Sequence, residues 1–390
     1  MRYIAGDVVR DLRRKMVFIG GPRQSGKTTL ARYLVGDPRP TEPLEGGPAI
    51  FPGGAYFSWD AEDDRRALLG RRWRDADRLL ALDELHKYPG WKRWIKGLWD
   101  TTAGKHRFVV TGSARLDVYR RGGDSLQGRY HYWRLHPFGL DEIPRGIAPE
   151  EALRRFLTVG PFPEPFLGND EREARRWRRE RFARVLRDDL RDMEAIREMA
   201  KLELFVDALR QRVGSPVVLS HIAGDLQVSP VTLRKWLESL ERMYLCFAVY
   251  PWTRSLPRAI QKPPKVYFFD SGDVVGDDGA RFENFVAASL LRRLHFWEDR
   301  DGYRCRLWYV RDKEGHEADF LLEREGKIVE LVEAKVGDPE VGRGLRYFAQ
   351  RLRPAKASRI VRDLKRPWSD HGIEVTDALA AFATLEPGRT

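Results

Sequence analysis

Eight residues constrain this chain more than any others: Gly21-Pro22-Arg23-Gln24-Ser25-Gly26-Lys27-Thr28. They follow a short apolar run, Met16-Val17-Phe18-Ile19, and lead into Thr28-Thr29-Leu30-Ala31-Arg32-Tyr33-Leu34-Val35, which reads as a helix. A strand that enters a glycine loop and leaves as a helix turns backbone N–H groups inward around a bound anion. In that setting Gly21 through Thr29 are expected to cradle the phosphates of ATP or GTP. Lys27 would reach the β- and γ-phosphates, and the Thr28 hydroxyl would sit on Mg²⁺.

Two further strands belong with this loop. Leu79-Leu80-Ala81-Leu82 is apolar and ends in Asp83-Glu84. An Asp at that strand end is suited to hold Mg²⁺, and a following Glu to orient and deprotonate the attacking water, so the pair favours hydrolysis over nucleotide sensing. Arg107-Phe108-Val109-Val110-Thr111 ends in Gly112-Ser113-Ala114-Arg115. There Thr111 or Ser113 is a candidate contact to the γ-phosphate or water, and Ser113 reads equally well as a helix N-cap. Arg129, which follows Gly128, is a candidate finger that reaches the nucleotide of a neighbouring subunit.

The 390 residues divide by pattern into three stretches. Residues 1–160 alternate short apolar runs with helical segments, as a parallel α/β domain does. Residues 161–260 are mainly helical. In this stretch Val217–Leu226 and Val231–Leu240 form two helices, with Ser229 as cap and Pro230 in the first position of the second. Leu245–Tyr250 follows as a strand, so the segment reads as a winged helix. It would either lay Arg234 and Lys235 in a DNA groove or act as a spacer between domains. Gln261-Lys262-Pro263-Pro264 reads as a linker, and residues 265–390 return to strand and helix alternation.

The net charge of +12 favours a polyanion partner. Two isolated cysteines, Cys246 and Cys305, argue against a disulfide framework or a structural zinc. No apolar run is long enough to span a membrane and no signal-peptide pattern opens the chain, so a cytoplasmic protein is expected.

The C-terminal stretch carries a second constellation. Phe282–Leu291 reads as an amphipathic helix with Glu283 early in it. Glu317–Glu323 and Ile328–Lys335 read as a hairpin. Strand alternation puts Val329, Leu331, Glu333 and Lys335 on one face, with Asp319 on the neighbouring strand. Glu283, Asp319 and Glu333 are therefore candidate oxygen ligands for Mg²⁺ or Mn²⁺, and Lys335 a candidate to activate water against a phosphodiester.

On these residues the N-terminal part resembles the AAA+ ATPases, through Gly21–Thr28, Asp83-Glu84, Thr111-Gly112-Ser113 and Gly128-Arg129. The wording of the loop is similar to a bacterial and archaeal branch in which an AAA-type ATPase is fused to a C-terminal domain of unassigned function. That domain resembles the PD-(D/E)xK nuclease fold, with Asp319, Glu333 and Lys335 matching its core motif and Glu283 its helix acid. The resemblance implies ATPase activity, a homo-oligomer of the ring-like hexamer type, and double-stranded or branched DNA as substrate. It implies catalytic roles for Glu84, Arg129, Glu283, Asp319, Glu333 and Lys335. The alternative expectation is a regulatory ATPase whose nuclease-like domain is non-catalytic and binds DNA or a protein.

Overall fold

The apolar run before the glycine loop forms strand β1 (Met16–Gly20), buried at every position. A strand covered on both faces needs helices on both sides, which is the condition for a parallel sheet. In the computed structural model, residues 1–36, 53–102, 104–112, 126–186, 198–253, 255, 259–337 and 340–385 are described. The chain divides into two compact units, residues 1–137 and 138–390.

The first unit holds five parallel strands: β1, β2 (Ala55–Ser58), β3 (Leu79–Asp83), β4 (Arg107–Thr111) and β5 (Tyr130–Arg134). Their order is β2-β3-β4-β1-β5. Helices α1 (Ala5–Leu12), α2 (Lys27–Val35), α3 (Glu62–Leu69) and α4 (Trp91–Thr102) accompany them. Phe18, Leu80, Leu82, Phe108 and Val110 share a core cluster with Trp91, Ile95 and Leu98 of α4. The register puts Ile19 beside Thr111, Thr111 beside Asp83, and Asp83 beside Ser58. One row of residues thus ends the sheet at its carboxyl edge, where open parallel sheets bind ligands. This arrangement is consistent with a P-loop domain.

The second unit opens with helices α5 (Pro149–Thr158), α6 (Pro163–Gly168), α7 (Glu171–Arg184), α8 (Met199–Arg210), α9 (Leu219–Leu226) and α10 (Pro230–Arg242). Pro230 opens α10, and Ser229 caps it by accepting from the Thr232 N–H at 3.0 Å. Strand β6 (Cys246–Pro251), the expected wing, pairs antiparallel with β7 (Lys265–Phe268) and parallel with β8 (Cys305–Arg311). It is therefore part of the large C-terminal sheet, which buries Cys246, Phe247 and Val249.

That sheet continues through β9 (Glu317–Arg324), β10 (Lys327–Lys335), β11 (Lys356–Val361), β12 (Trp368–Asp370) and β13 (Ile373–Asp377). Its order is β12-β13-β11-β10-β9-β8-β6-β7. Helices α11 (Asp278–Asp301), α12 (Arg343–Leu352) and α13 (Ala378–Phe382) complete the unit. The β9–β10 register shifts between Ile328 and Glu330, which leaves Val329 without a partner across the hairpin. Ile328, and not Val329 as strict alternation predicts, therefore packs with Leu331 in the core shared with Leu345 and Phe348. Among the described residues no helix is long and apolar enough to cross a membrane.

Candidate functional site

The phosphate loop is shaped by backbone that side chains would obstruct. Gly21 has φ +126°, and a Cβ there would lie 2.5 Å from the Leu135 carbonyl oxygen. Gly26, with φ +93°, turns the chain into α2. The Lys27 ammonium is buried and donates to the loop's own carbonyls, Gly21 at 3.1 Å and Pro22 at 2.5 Å. Burial pushes it down to about 8, against the pull of the Glu84 and Asp83 carboxylates, with Arg23 and Arg2 lowering it further. The buried Ser25 Oγ has no hydrogen-bond partner. Arg2, also buried, donates to the backbone carbonyls of Ser25 and His136. A lysine paired only with carbonyls, two further cations and an orphaned hydroxyl fit a polyphosphate.

At the carboxyl edge of the sheet, Asp83 gathers three hydroxyls. Thr28 Oγ1 donates to Oδ2 at 2.7 Å, Tyr56 Oη donates to Oδ2 at 2.6 Å, and Thr111 Oγ1 donates to Oδ1. Tyr56 lies under the Arg32 guanidinium, 4.5 Å from its ring centre. Burial, and then the Asp83 charge, raise the Tyr56 phenol well above its ordinary value, so it stays a donor. The donor set fits Mg²⁺: Thr28 and Asp83 offer a hydroxyl and a carboxylate in contact. Glu84 follows in left-handed backbone, φ +56°, its N–H bonded to the Thr111 carbonyl at 2.9 Å. Burial raises its carboxyl above the usual range, and Lys87 stands 3.4 Å away.

Other expected residues lie apart from this group. Arg129 closes a two-point ion pair with Asp100 of α4, 2.9 and 3.2 Å. Its carbonyl accepts from Met16, at the end of β1 opposite the loop, so it points to no nucleotide of its own chain. Ser113 lies outside the described residues. Arg2 and Tyr56 were missed from the sequence, being distant along the chain and unmarked by any motif.

In the second unit the acidic residues do converge, but around a lysine. Lys265, at the head of β7 and 1% exposed, places Nζ 2.7 Å from Glu317 Oε1, 3.3 Å from Glu283 Oε1 and 3.8 Å from Asp319 Oδ1. Tyr267 Oη donates to Glu283 at 2.7 Å. Burial acts to lower the Lys265 ammonium, yet the charges of Glu283, Asp319 and Glu317 hold it well above its ordinary value. Asp319 Oδ2 accepts from the Ala334 N–H at 2.9 Å, which ties off the β9–β10 ladder where it ends. Glu333 faces its register partner Arg359 on β11 and accepts from Nη1 at 2.6 Å. Burial raises Glu333, against the guanidinium.

The expected metal set of Glu283, Asp319 and Glu333 is not gathered at one point. Their carboxylates are taken by Lys265, a backbone N–H and Arg359. Among the described residues the acidic and histidine ligand atoms that all lie within 4.8 Å of one another are instead those of Asp312, Glu314 and His316. Glu283, Asp319 and Glu333 are outside that group. Lys265, Glu317 and Arg359 were missed as partners. The one cue was a charged residue heading a short apolar strand, which burial obliges to find a counter-charge.

Comparison with known proteins matches three stretches of the chain. Residues 13–144 match a family described as an AAA domain. Residues 150–275 and 278–379 match two domains of unknown function, DUF8612 and DUF4143. Two curated relatives, Uncharacterized protein Rv2008c of Mycobacterium tuberculosis and Uncharacterized protein Mb2031c of Mycobacterium bovis, are each 25% identical over 357 residues, covering 86% of this chain and 73% of theirs. A solved structure, Bacteroides Pif1 bound to ssDNA, is 19% identical over 36% of this chain and 43% of that one, with a TM-score of 0.19, a likeness that carries no argument. The matches support an AAA-type ATPase domain at the N-terminus joined to a C-terminal domain of unknown function.

Proposed function

We propose that this chain hydrolyses ATP and couples turnover to double-stranded or branched DNA that its C-terminal unit binds without cutting. Lys27 and the loop N–H groups hold the triphosphate. Thr28 and Asp83 hold Mg²⁺, which supplies charge neutralisation at the phosphoryl group when bound. Glu84 orients the attacking water and takes its proton, and its raised carboxyl suits that task near neutral pH. The observation that carries the hydrolysis half is the contact of the Thr28 hydroxyl with Asp83, with Glu84 next in the chain. Net charge supports DNA as the partner.

The non-cutting half rests on Lys265 and Arg359, which neutralise the carboxylates that a metal-dependent nuclease needs free. Phosphate release from wild type and Lys27→Ala, with and without linear, forked and four-way DNA, tests the whole reading. Turnover lost in Lys27→Ala and stimulated by one DNA form is expected. Turnover indifferent to every DNA overturns the DNA half. Cleavage of any of these DNAs with Mg²⁺ or Mn²⁺ that disappears in Asp319→Ala overturns the non-cutting half.

A further inference from the structure

The phosphate loop is tied at two points to the backbone that leaves β5. Where the loop begins, the Leu135 N–H donates to the Gly20 carbonyl at 2.9 Å. Further along it, the buried Arg2 guanidinium bridges two carbonyls, donating from Nη1 to Ser25 and from Nη2 to His136 at 2.5 Å. Tyr3 secures the same anchor: its hydroxyl donates to the Arg134 carbonyl at 2.7 Å and accepts from the His136 N–H at 3.2 Å. A planar guanidinium fork spans two acceptors in fixed directions, which the point charge of a lysine does not.

In a planar trans peptide the carbonyl and the following N–H point in opposite directions. With the Ser25 carbonyl turned to Arg2, the Gly26 N–H faces away from it. Among the described residues that N–H has no hydrogen-bond partner, and neither has the buried Ser25 Oγ. Two unpaired donors on adjacent residues at the start of α2 suit a phosphate oxygen. We propose that Arg2 is a positioning residue for the nucleotide: by fixing the Ser25–Gly26 peptide against the exit of β5, it aims the Gly26 N–H at a phosphate oxygen of the bound triphosphate. Arg2 stays on its two carbonyls and acts through the loop. The inference rests on the reading of Gly21–Thr28 as the phosphate loop and adds a residue outside the motif that sets the loop's shape.

Binding of ATP and of inorganic tripolyphosphate, which lacks the base, is measured by titration calorimetry for wild type, Arg2→Lys and Arg2→Met, with thermal melting of the free proteins alongside. Both variants are expected to bind both ligands about tenfold more weakly or worse. They should also raise KM for ATP more than they lower kcat. A role by charge alone would leave Arg2→Lys like wild type. Tyr3→Phe, which keeps Arg2 and loosens its anchor, should weaken binding by a smaller factor. The peptide itself is read by nuclear magnetic resonance. Serine labelled with ¹³C at the carbonyl and glycine with ¹⁵N give two correlated pairs in this chain, Ser25-Gly26 and Ser271-Gly272. The Gly272 N–H donates to Asp270 Oδ1 at 2.9 Å and serves as the reference. Tripolyphosphate should move the Gly26 amide proton downfield in wild type and move it less in saturated Arg2→Lys, with Gly272 unmoved in both. An Arg2→Lys that binds as tightly as wild type overturns the proposal, as does a Gly26 amide that stays in place when tripolyphosphate binds. Should the Arg2 variants fail to fold, the Gly26 response in wild type and the affinity of Tyr3→Phe decide by the same signs. Wild type that binds neither ligand overturns the phosphate loop itself, whereas the other outcomes bear on Arg2 alone.

Discussion

Lys27 offers the sharpest test of the phosphate loop, because its burial makes nucleotide binding depend on pH. With the ammonium pushed down to about 8, the free protein carries the Lys27 proton in about nine chains of ten at pH 7 and about one in ten at pH 9. The triphosphate binds the charged form, so affinity for ATP should fall about tenfold between these pH values, about 1.4 kcal/mol. At pH 8 each binding event should take up about half a proton, read by titration calorimetry in two buffers of different ionisation heat. Stability of the nucleotide-free protein should move the other way. The lysine sits at about 8 when folded and at its ordinary value of 10.5 when unfolded, so the unfolded chain binds the extra proton between these limits. Nucleotide-free stability therefore rises with pH across that window while affinity declines. Lys27→Arg, which stays charged throughout, should bind with a flat profile above pH 7. An affinity in wild type that is constant from pH 7 to 9, or equal proton uptake in Lys27→Arg, would refute the argument.

Glu84→Gln should retain ATP affinity, measured with a fluorescent analogue, while phosphate release falls about 10²- to 10³-fold. Because burial raises the Glu84 carboxyl, wild-type turnover should decline with acid at a higher pH than an exposed glutamate would impose. Arg359→Met leaves Glu333 buried without its partner and should cost about 3–5 kcal/mol in urea unfolding, most of it recovered by adding Glu333→Gln. Arg129→Ala should fold normally, since its ion pair with Asp100 is exposed, and should abolish any rise of specific ATPase activity with protein concentration. A rise that persists in Arg129→Ala removes the role across subunits.

The parts of the site that the sequence made legible are those written in consecutive residues. The loop from Gly21 to Thr28 carries its own turn, donors and helix start, and Asp83-Glu84 announces itself at the end of an apolar strand. What stayed hidden depends on which strands become neighbours. Tyr56 reaches Asp83 only because β2 lies beside β3. Arg359 reaches Glu333 only because β11 pairs in parallel with β10. Lys265 comes to Asp319 from a strand on the edge of the sheet, 54 positions earlier in the chain. The local pattern marked the acids as charges that must be neutralised. It gave no means to tell a bound metal from a lysine supplied by the fold. At Val329 the failure was narrower: one unpaired residue shifts which side chains share a face, and alternation alone contains no sign of it.

The pairing of β6 with β8 limits how this protein can be divided. The family boundaries near residues 275 and 278 suggest two separable pieces, yet β6 and β7 complete the sheet that begins again at β8. A cut at that boundary would strip β8 of its neighbour and expose a row of unpaired backbone groups beside Trp308 and Tyr309. Such an edge recruits other strands, so the C-terminal fragment should self-associate or precipitate when made alone. The same cut would carry away Lys265 and leave Glu283, Glu317 and Asp319 facing one another without a cation. Evolutionary exchange of the helical segment must therefore bring a matching strand and a matching lysine with it.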